Sequence, residues 1–470
     1  MNQGHWFFTL AVLGALIHPG ISYADDAALL SRVQALEGEV QFLRSQLGIK
    51  APVKGGLGEP TVSAEDQHIQ EVINSTYPWL KGTKPVGDIR LRMENFARTG
   101  TGKVDQNRFR LRLRWGLEKN FNDDWKAGFR LATGARDTTQ SSGTTNDTSI
   151  GIADDPTSTN QTFTDKFNLK DIFIENAWAS YTPSWAKNLG PIRGMEIKAG
   201  KVELPWKNYS TSIVWDGDVT PEGAQEKIDI GLYEGEGRLK DVQFTGLFGQ
   251  WILNETASLE GDQEMYSYTG ALESQWDLGL PKTTKFTSAF NFFDYVDIQD
   301  NILVGNTNRA RGNDVSGSTL LVDDWNIAEW YNEFNFRESW LLHKDLKFFA
   351  DAALNTNGDI GNDSPAGVKH IDERNAYSFG AKLGSAKKKG DWELAYQYFR
   401  IERNSTLGLF SESDLGVGHN NHTGSKISTA YGLTDNLALN FTAWFVNDLS
   451  NESNDEYVAR FQSDLVWKLW

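Results

Sequence analysis

The length, charge and composition of the chain exclude several classes of protein. With 470 residues the chain is long enough for one large β architecture or for a few ordinary domains, and its net charge of −17 argues against a nucleic-acid partner, whose phosphates a binding face must neutralise. It has no Cys, so disulfides, thiolate metal sites and Cys nucleophiles are excluded, and its seven His residues lack the spacing of metal ligands. We therefore expect no metal and no other cofactor.

Residues 1–24 have the pattern of a secretory signal peptide. Residues 6–17 form an apolar run, and the small residues Ser22 and Ala24 fit a signal-peptidase site before Asp25. The start of this segment departs from the pattern because it carries no Lys or Arg. The run is too short for a membrane-spanning helix, and no later stretch approaches ~20 apolar residues. The sequence thus predicts an exported protein that can enter a membrane only as β-strands.

Residues 25–50 predict a short coiled coil, and residues 51–85 predict a linker followed by a short helix. The apolar residues of the first segment are spaced alternately by four and three, as in a heptad seam: Leu29, Val33, Leu36, Val40, Leu43 and Leu47. The segment covers under three heptads, so the alternative is a lone amphipathic helix that packs on another surface. We expect the coil to lie in the periplasm.

Residues 86–470 predict a transmembrane antiparallel up-and-down β-barrel of about 16 strands. Amphipathic segments of about ten residues are joined by alternating short turns and long polar connections, as tilted membrane strands require. Only a closed sheet leaves no open strand edge in lipid. Two segments are ambiguous: the facing of residues 172–181, and the weak strand at residues 232–237. The last residue, Trp470, is out of phase with the apolar residues Phe461, Leu465, Trp467 and Leu469.

The clearest strand of the barrel lies at residues 108–118. Phe109, Leu111, Leu113, Trp115 and Leu117 alternate with four arginines and Glu118. Because neighbouring side chains of a strand point to opposite faces, one face is apolar and the other carries a row of arginines. In a barrel the apolar face meets lipid and the arginines face the lumen. The alternative is a secreted β-protein whose apolar faces form a core.

Several of these motifs resemble a family of porins from Gram-negative outer membranes. They are GDIRLR at 87–92, RFRLRLR at 108–114, GFRLATG at 128–134, STNQT at 158–162 and WDGD…PEG at 215–223. The resemblance covers the N-terminal third of the barrel, and the rest matches in rhythm. It implies a passive diffusion channel, in which the third external connection folds into the barrel and turns acidic residues toward an arginine ladder.

The third external connection is expected at residues 201–230, with aromatic residues, Pro and clustered acids. The predicted acids of this loop are Asp216, Asp218 and Glu222. The predicted ladder, on the inward phase of the first three strands, consists of Arg90, Arg92, Arg108, Arg110, Arg112, Arg114 and Arg130. Together they would line the lumen and create a transverse field that screens solutes by charge. The alternative is that the arginines pair with wall acids such as Asp88 or Glu94 and stiffen the barrel.

The sequence therefore predicts an outer-membrane porin for small hydrophilic solutes and ions, and not an enzyme. The alternatives are an anion- or phosphate-selective porin, an outer-membrane barrel enzyme, and an adhesin that binds through its long loops. A barrel enzyme needs a positioned nucleophile and base, and no GxSxG motif accompanies the loop histidines. The expected partners are outer-membrane lipid and lipopolysaccharide, the barrel assembly machinery, and two further copies of the chain in a homotrimer.

Overall fold

A computed structural model describes most of the predicted barrel. The described residues are 77, 80–99, 105–134, 156–163, 167, 169–254, 262–298, 311–316, 319–320, 325–357, 373–415, 420–449 and 457–469. The chain divides into two compact units, residues 1–78 and 79–470. The predicted signal peptide, coiled coil and most of the linker, together with Trp470, lie outside the described residues.

Sixteen long strands are present among the described residues. They are β1 Thr83–Thr99, β2 Gln106–Asn120, β3 Trp125–Thr133, β4 Ile172–Tyr181, β5 Ile192–Lys201, β6 Glu222–Glu234, β7 Leu239–Asn254, β8 Gln263–Trp276, β9 Thr284–Val296, β10 Trp325–Phe336, β11 Leu346–Asn355, β12 Asn375–Gly384, β13 Trp392–Ile401, β14 His422–Gly432, β15 Leu437–Asp448 and β16 Tyr457–Lys468. The same sheet also contains the two-residue strand Gln161–Thr162, and a 3-10 helix at Ser184–Asn188 joins β4 to β5.

The strands form one closed antiparallel β-barrel. Each pairs with its neighbour in sequence, and β1 also pairs with β16, where Leu91 lies opposite Leu465 and Arg92 opposite Asp464. Closure gives the edge backbone groups of the first and last strands partners, as a bilayer interior demands. The predicted fold class and the count of sixteen strands are confirmed. In the described part of the chain, no helix has the length and apolar character that a membrane span requires.

The alternation in β2 has the predicted orientation. Phe109 and Trp115 are exposed on the outer face, whereas Arg112 is only 8 % exposed. The two-residue period of a strand is the cause, because it separates apolar and charged side chains onto opposite faces. The first strand starts at Thr83 rather than at residue 86, so the barrel takes in the last residues of the predicted linker.

A β-bulge explains the ambiguous facing of β4. Ile172 and Ile174 are exposed, Glu175 and Asn176 are both buried, and the register against β3 shifts at Arg130 and Leu131. An extra residue in one strand reverses the alternation beyond it, so no single phase fits the whole segment. The bulge also leaves Glu175 pointing into the barrel beside the arginines of β2 and β3.

The predicted boundary of the third connection, 201–230, is wrong at its second end. Strand β6 begins at Glu222, so the connection between β5 and β6 covers residues 202–221. Residues 232–234 of the weak strand predicted at 232–237 are the end of this longer strand, and residues 235–237 belong to the turn that follows. Glu226 and Lys227 interrupt the apolar alternation of β6, which is why the first half of the strand is hard to recognise.

Residues 202–221, here called the docked loop, pack against the inner wall of the barrel. The apolar side chains of the loop are buried: Val202, Leu204, Trp206, Ile213, Val214, Trp215 and Val219. Their partners include the inward side chains Trp251, Phe293, Trp325 and Ile327 of β7, β9 and β10. The docked loop is thus held by apolar contacts with inward side chains of three strands.

A second segment, residues 402–415 between β13 and β14, also enters the barrel. Leu407 and Leu415 join the same apolar cluster, and the Phe410 ring stacks on Trp215 at 5.4 Å between ring centroids. Backbone hydrogen bonds tie it to the docked loop, from Asp216 N to Phe410 O at 2.7 Å and from Glu412 N to Ser212 O at 3.1 Å. We call this segment the second docked segment.

Candidate functional site

The arginines of β1, β2 and β3 form a charged wall with one further arginine from β16. The eight residues, here called the arginine wall, are Arg90, Arg92, Arg108, Arg110, Arg112, Arg114, Arg130 and Arg460. Strand register brings them together, because Arg90 lies opposite Arg112 and Arg92 opposite Arg110. Stacked like charges repel, so such a wall needs carboxylates close by.

Asp218 of the docked loop reaches the centre of the arginine wall. Its Oδ1 lies 2.7 Å from Arg114 Nη2 and 3.8 Å from Arg112 Nη1. Arg112 also binds Asp88 of β1, with 2.7 Å between Nη2 and Oδ2. The contact holds the tip of the loop across the barrel, opposite the apolar wall on which its aromatic residues pack.

Asp414 of the second docked segment makes an equivalent contact with the arginines of β1 and β16. Its Oδ2 lies 3.0 Å from Arg92 Nη1 and its Oδ1 lies 2.7 Å from Arg460 Nη2. Arg92 is also held by Asp464 of β16, at 2.6 Å between Nε and Oδ1. Both segments that enter the barrel therefore end in a carboxylate on the arginine wall.

Glu94 is the carboxylate that the most arginines share. Its side chain has no solvent exposure and accepts hydrogen bonds from Arg108, Arg460 and Arg92. Arg110 stands farther off, with 3.9 Å between Nη1 and Glu94 Oε2. One negative charge is thus divided among four guanidinium groups.

Glu175, which the bulge in β4 turns into the barrel, pairs with arginines of β2 and β3. Glu175 pairs with Arg130 and, at 2.7 Å between Oε1 and Nε, with Arg114. Arg130 also binds Glu203 at the start of the docked loop, where Lys207 holds the other oxygen of the same carboxylate at 2.8 Å. Six of the seven predicted ladder arginines thus have a carboxylate oxygen within 4.0 Å, and Arg90 instead donates to Asn160.

Two of the three predicted loop acids do not meet the arginines. Asp216 accepts hydrogen bonds from the backbone N–H groups of Asp218 and Ser413, both at 2.8 Å, so it joins the two docked segments to each other. Glu222 begins β6, is 64 % exposed, and pairs with Lys201 at 2.8 Å. The prediction that Glu222 belongs to the inward loop is wrong, because strand β6 starts at that residue.

The ionisation of the loop acids follows from these partners. Burial disfavours the charged form of Asp218, but Arg114, Arg112 and Arg90 outweigh it and lower its pKa to about 2. The pKa of Asp414 is likewise held well below its usual range by Arg460 and Arg92, against the cost of burial. Burial, together with the charges of Glu412 and Asp218, instead raises the pKa of Asp216.

The opposite wall holds the docked loop with neutral donors rather than arginines. Ser210 Oγ donates to Glu329 at 2.7 Å, and the backbone N–H of Thr211 donates to Asp351 at 2.9 Å. Asn291 joins this latch by donating to Tyr209 O and to Glu329, both at 2.7 Å. Both carboxyl groups are buried, so these donors offset part of the large cost of removing them from water.

Several site residues were not predicted from the sequence. Arg460 and Asp464 could have been found, because they share the inward phase opposite Phe461 and Leu465. Asp414 lies in a long polar connection without a period, so no pattern marks it, and Asn160 lies in the STNQT motif, which carries the resemblance but does not indicate contact with the arginines. Within the described residues, no group of three His, Asp or Glu side chains is placed to hold a metal ion.

Comparison with known proteins points to one family. A family model described as "Putative porin" matches residues 73–316 and 328–465. A search of curated protein sequences gave no match. Similar solved structures include a high-pH structure of OprB from Pseudomonas putida, with 11 % identity, 86 % of this chain and 96 % of that chain covered, and a TM-score of 0.48. OmpT of Vibrio cholerae has 12 % identity, with 83 % of this chain and 98 % of that chain covered, and a TM-score of 0.41. An OmpF complex with daunomycin from Salmonella typhi has 10 % identity, with 83 % of this chain and 98 % of that chain covered, and a TM-score of 0.41.

Proposed function

The chain belongs to this porin family, and from that premise we propose that it is a passive diffusion channel for small hydrophilic solutes and ions, narrowed between the arginine wall and the docked loop. Family membership points to an outer-membrane channel of Gram-negative bacteria rather than to an enzyme. The observation that carries the finer proposal is the contact of Asp218 with Arg114 across the inside of a closed barrel.

The proposed mechanism uses charge on both sides of the passage. The arginine wall and the loop carboxylates create a field across the lumen, which orients water and dipolar solutes and favours those that can form hydrogen bonds. Positive and negative groups are nearly balanced, since the wall has eight arginines and, among the described residues, seven carboxylates lie within 4.0 Å of seven of them: Asp88, Glu94, Glu175, Glu203, Asp218, Asp414 and Asp464. We therefore expect weak rather than strong selectivity between simple cations and anions.

Liposome swelling tests the passage of solutes. Vesicles that contain the purified protein should swell in an isotonic solution of a small sugar, at a rate that falls steeply as the sugar becomes larger. Vesicles without protein are the control for leakage. A swelling rate equal to that of the control, with the protein inserted and folded, would contradict the channel.

The assembly is also part of the proposal. We expect a homotrimer in the outer membrane, with lipid and lipopolysaccharide around it, insertion by the barrel assembly machinery, and residues 25–50 as a coil in the periplasm. Chemical cross-linking of the purified protein should give a band of three chains. Removal of residues 25–50 should leave the barrel folded, and a trimer that dissociates on this deletion would assign the coil a role in assembly.

A further inference from the structure

Two arginines of the arginine wall lack the close carboxylate that the other six have. Among the described residues, Arg90 has no carboxylate oxygen within 4.0 Å, and its hydrogen bond goes from Nη2 to Asn160 Oδ1 at 2.7 Å. Arg110 donates to Ser158 Oγ at 3.2 Å and to Asn160 O at 3.3 Å, and its nearest carboxylate oxygen, on Glu94, is 3.9 Å away. Hydroxyl, amide and carbonyl oxygens orient a guanidinium group but do not neutralise it.

Asn160 accepts a hydrogen bond from both of these arginines. It lies in residues 156–163, a piece of the second long connection that pairs with β2 through Gln161–Thr162. Asn160 is 5 % exposed and contacts both arginines, so they are fixed near each other. Among the described residues, the Nε groups of Arg90 and Arg110 have no hydrogen-bond partner. Two guanidinium groups with unused N–H donors and no close carboxylate therefore lie together at Asn160.

We propose that Arg90 and Arg110, positioned by Asn160, form a binding site for a small oxyanion such as phosphate, sulfate or a carboxylate inside the barrel. The planar guanidinium fork fits two oxygens of such an anion and binds them more strongly than it binds a spherical ion. Carboxylates on the neighbouring arginines keep the site from being strongly positive overall, so binding is weak and reversible. This inference rests on the proposed channel, in which the anion would pause during passage.

Inorganic phosphate is the probe for the first test. In a planar bilayer the chloride current through the wild-type protein should fall as phosphate is added. The quantity measured is the half-blocking concentration, which is the phosphate concentration that halves this current. Arg90→Gln removes one oriented donor pair and should raise that concentration about tenfold, the effect of one charge-assisted hydrogen bond. Asn160→Asp keeps both arginines but places a carboxylate between them, and it should weaken the block by a similar factor.

Arg193→Gln is the matched control, because it removes the same charge where Arg193 is already held by Asp241 at 2.5 Å. It should leave the half-blocking concentration unchanged. Heat-modifiable gel mobility verifies that each variant is folded. Wild-type protein that conducts chloride but shows no phosphate block would overturn the site, as would an unchanged block in both Arg90→Gln and Asn160→Asp.

Binding in detergent separates this inference from the channel itself. Equilibrium dialysis of the folded, full-length protein against labelled phosphate should show binding that Asn160→Asp weakens about tenfold. Binding without any conductance would support the anion site and contradict the proposed function. Conductance without phosphate binding would support the proposed channel and contradict the anion site.

Discussion

Two walls of the same barrel contact the docked segments through different interactions. On β7, β9 and β10 the docked loop packs mainly on apolar inward side chains, beside the latch formed by Asn291 and Glu329. Trp206 packs there against Trp251 and Phe293 with 5.8 and 5.0 Å between ring centroids. On β1, β2 and β16 many inward residues are charged, and Asp218 and Asp414 of the docked segments pair with arginines there. In the proposed channel the apolar wall fixes where the loop lies, and the charged wall faces the solutes that pass.

The two walls hold the docked segments by different interactions, apolar burial on one side and ion pairs on the other. Burial of large aromatic side chains is non-directional and does not depend on salt, so it can hold the loop in place under any condition in which the barrel is folded. Ion pairs at the arginine wall lose part of their gain to desolvation, and their value lies in the field that they set up. Changes on the apolar wall should therefore affect the position of the loop, whereas changes on the charged wall should affect selectivity.

The largest effect is expected from Trp206→Ala on the apolar side. Truncation of a fully buried Trp removes about 3–5 kcal/mol of packing, and the docked loop has few other apolar anchors of that size. The loop should leave the wall while the barrel stays closed. Limited proteolysis should then cut within residues 202–221, and gel mobility should remain heat-modifiable.

Trp330→Ala is the matched control for that change. Trp330 is 58 % exposed on the outer face of β10, away from the docked loop. Its truncation should leave residues 202–221 resistant to protease. Equal protection of the loop in both variants would show that Trp206 does not anchor it.

Asp218→Asn should give the next largest effect, on the charged side. It leaves Arg114 and Arg112 without one of their carboxylates, so the lumen gains net positive charge. The permeability ratio should move toward anions by several-fold, measured as a shift of the reversal potential in a salt gradient. Glu222→Gln changes the same charge at an exposed position and should cause a much smaller shift. Similar shifts in the two variants would remove Asp218 from its proposed position in the field.

Replacement of Arg110 and Arg112 by Ser should move selectivity in the opposite direction. Asp88 and Asp218 then lose a cationic partner, and cations should be favoured in the same reversal-potential measurement. An unchanged reversal potential would indicate that these arginines brace the barrel without governing passage.

The smallest expected effect is one of pH. The pKa of Asp218 is lowered to about 2, so its carboxylate stays charged from about pH 7 to about pH 4 and is protonated only near pH 2. The difference in reversal potential between the wild type and Asp218→Asn should therefore be constant over that range. A difference that disappears by about pH 4 would mean that the arginines do not lower the pKa of Asp218.

The sequence predicts the barrel well because its signal is local. Alternation in β2 assigns each arginine to the inner face, and the aromatic composition of residues 202–221 marks a loop that packs on something. The bulge at Glu175 hides the facing of β4, since it breaks the period on which that inference depends. The contacts of Asp414 and Asn160 with the arginines could not be predicted, because they join residues far apart in the sequence and neither local periodicity nor the STNQT motif specifies them.

The central claim is that a docked loop narrows a channel between two unlike walls, and single-channel conductance tests it most directly. The wild-type protein in a planar bilayer should give discrete conductance steps, and a variant in which residues 207–218 are replaced by a short Gly/Ser linker should give larger steps at the same salt concentration. Steps of equal size would contradict the constriction, and the absence of steps from folded, inserted wild-type protein would contradict the channel.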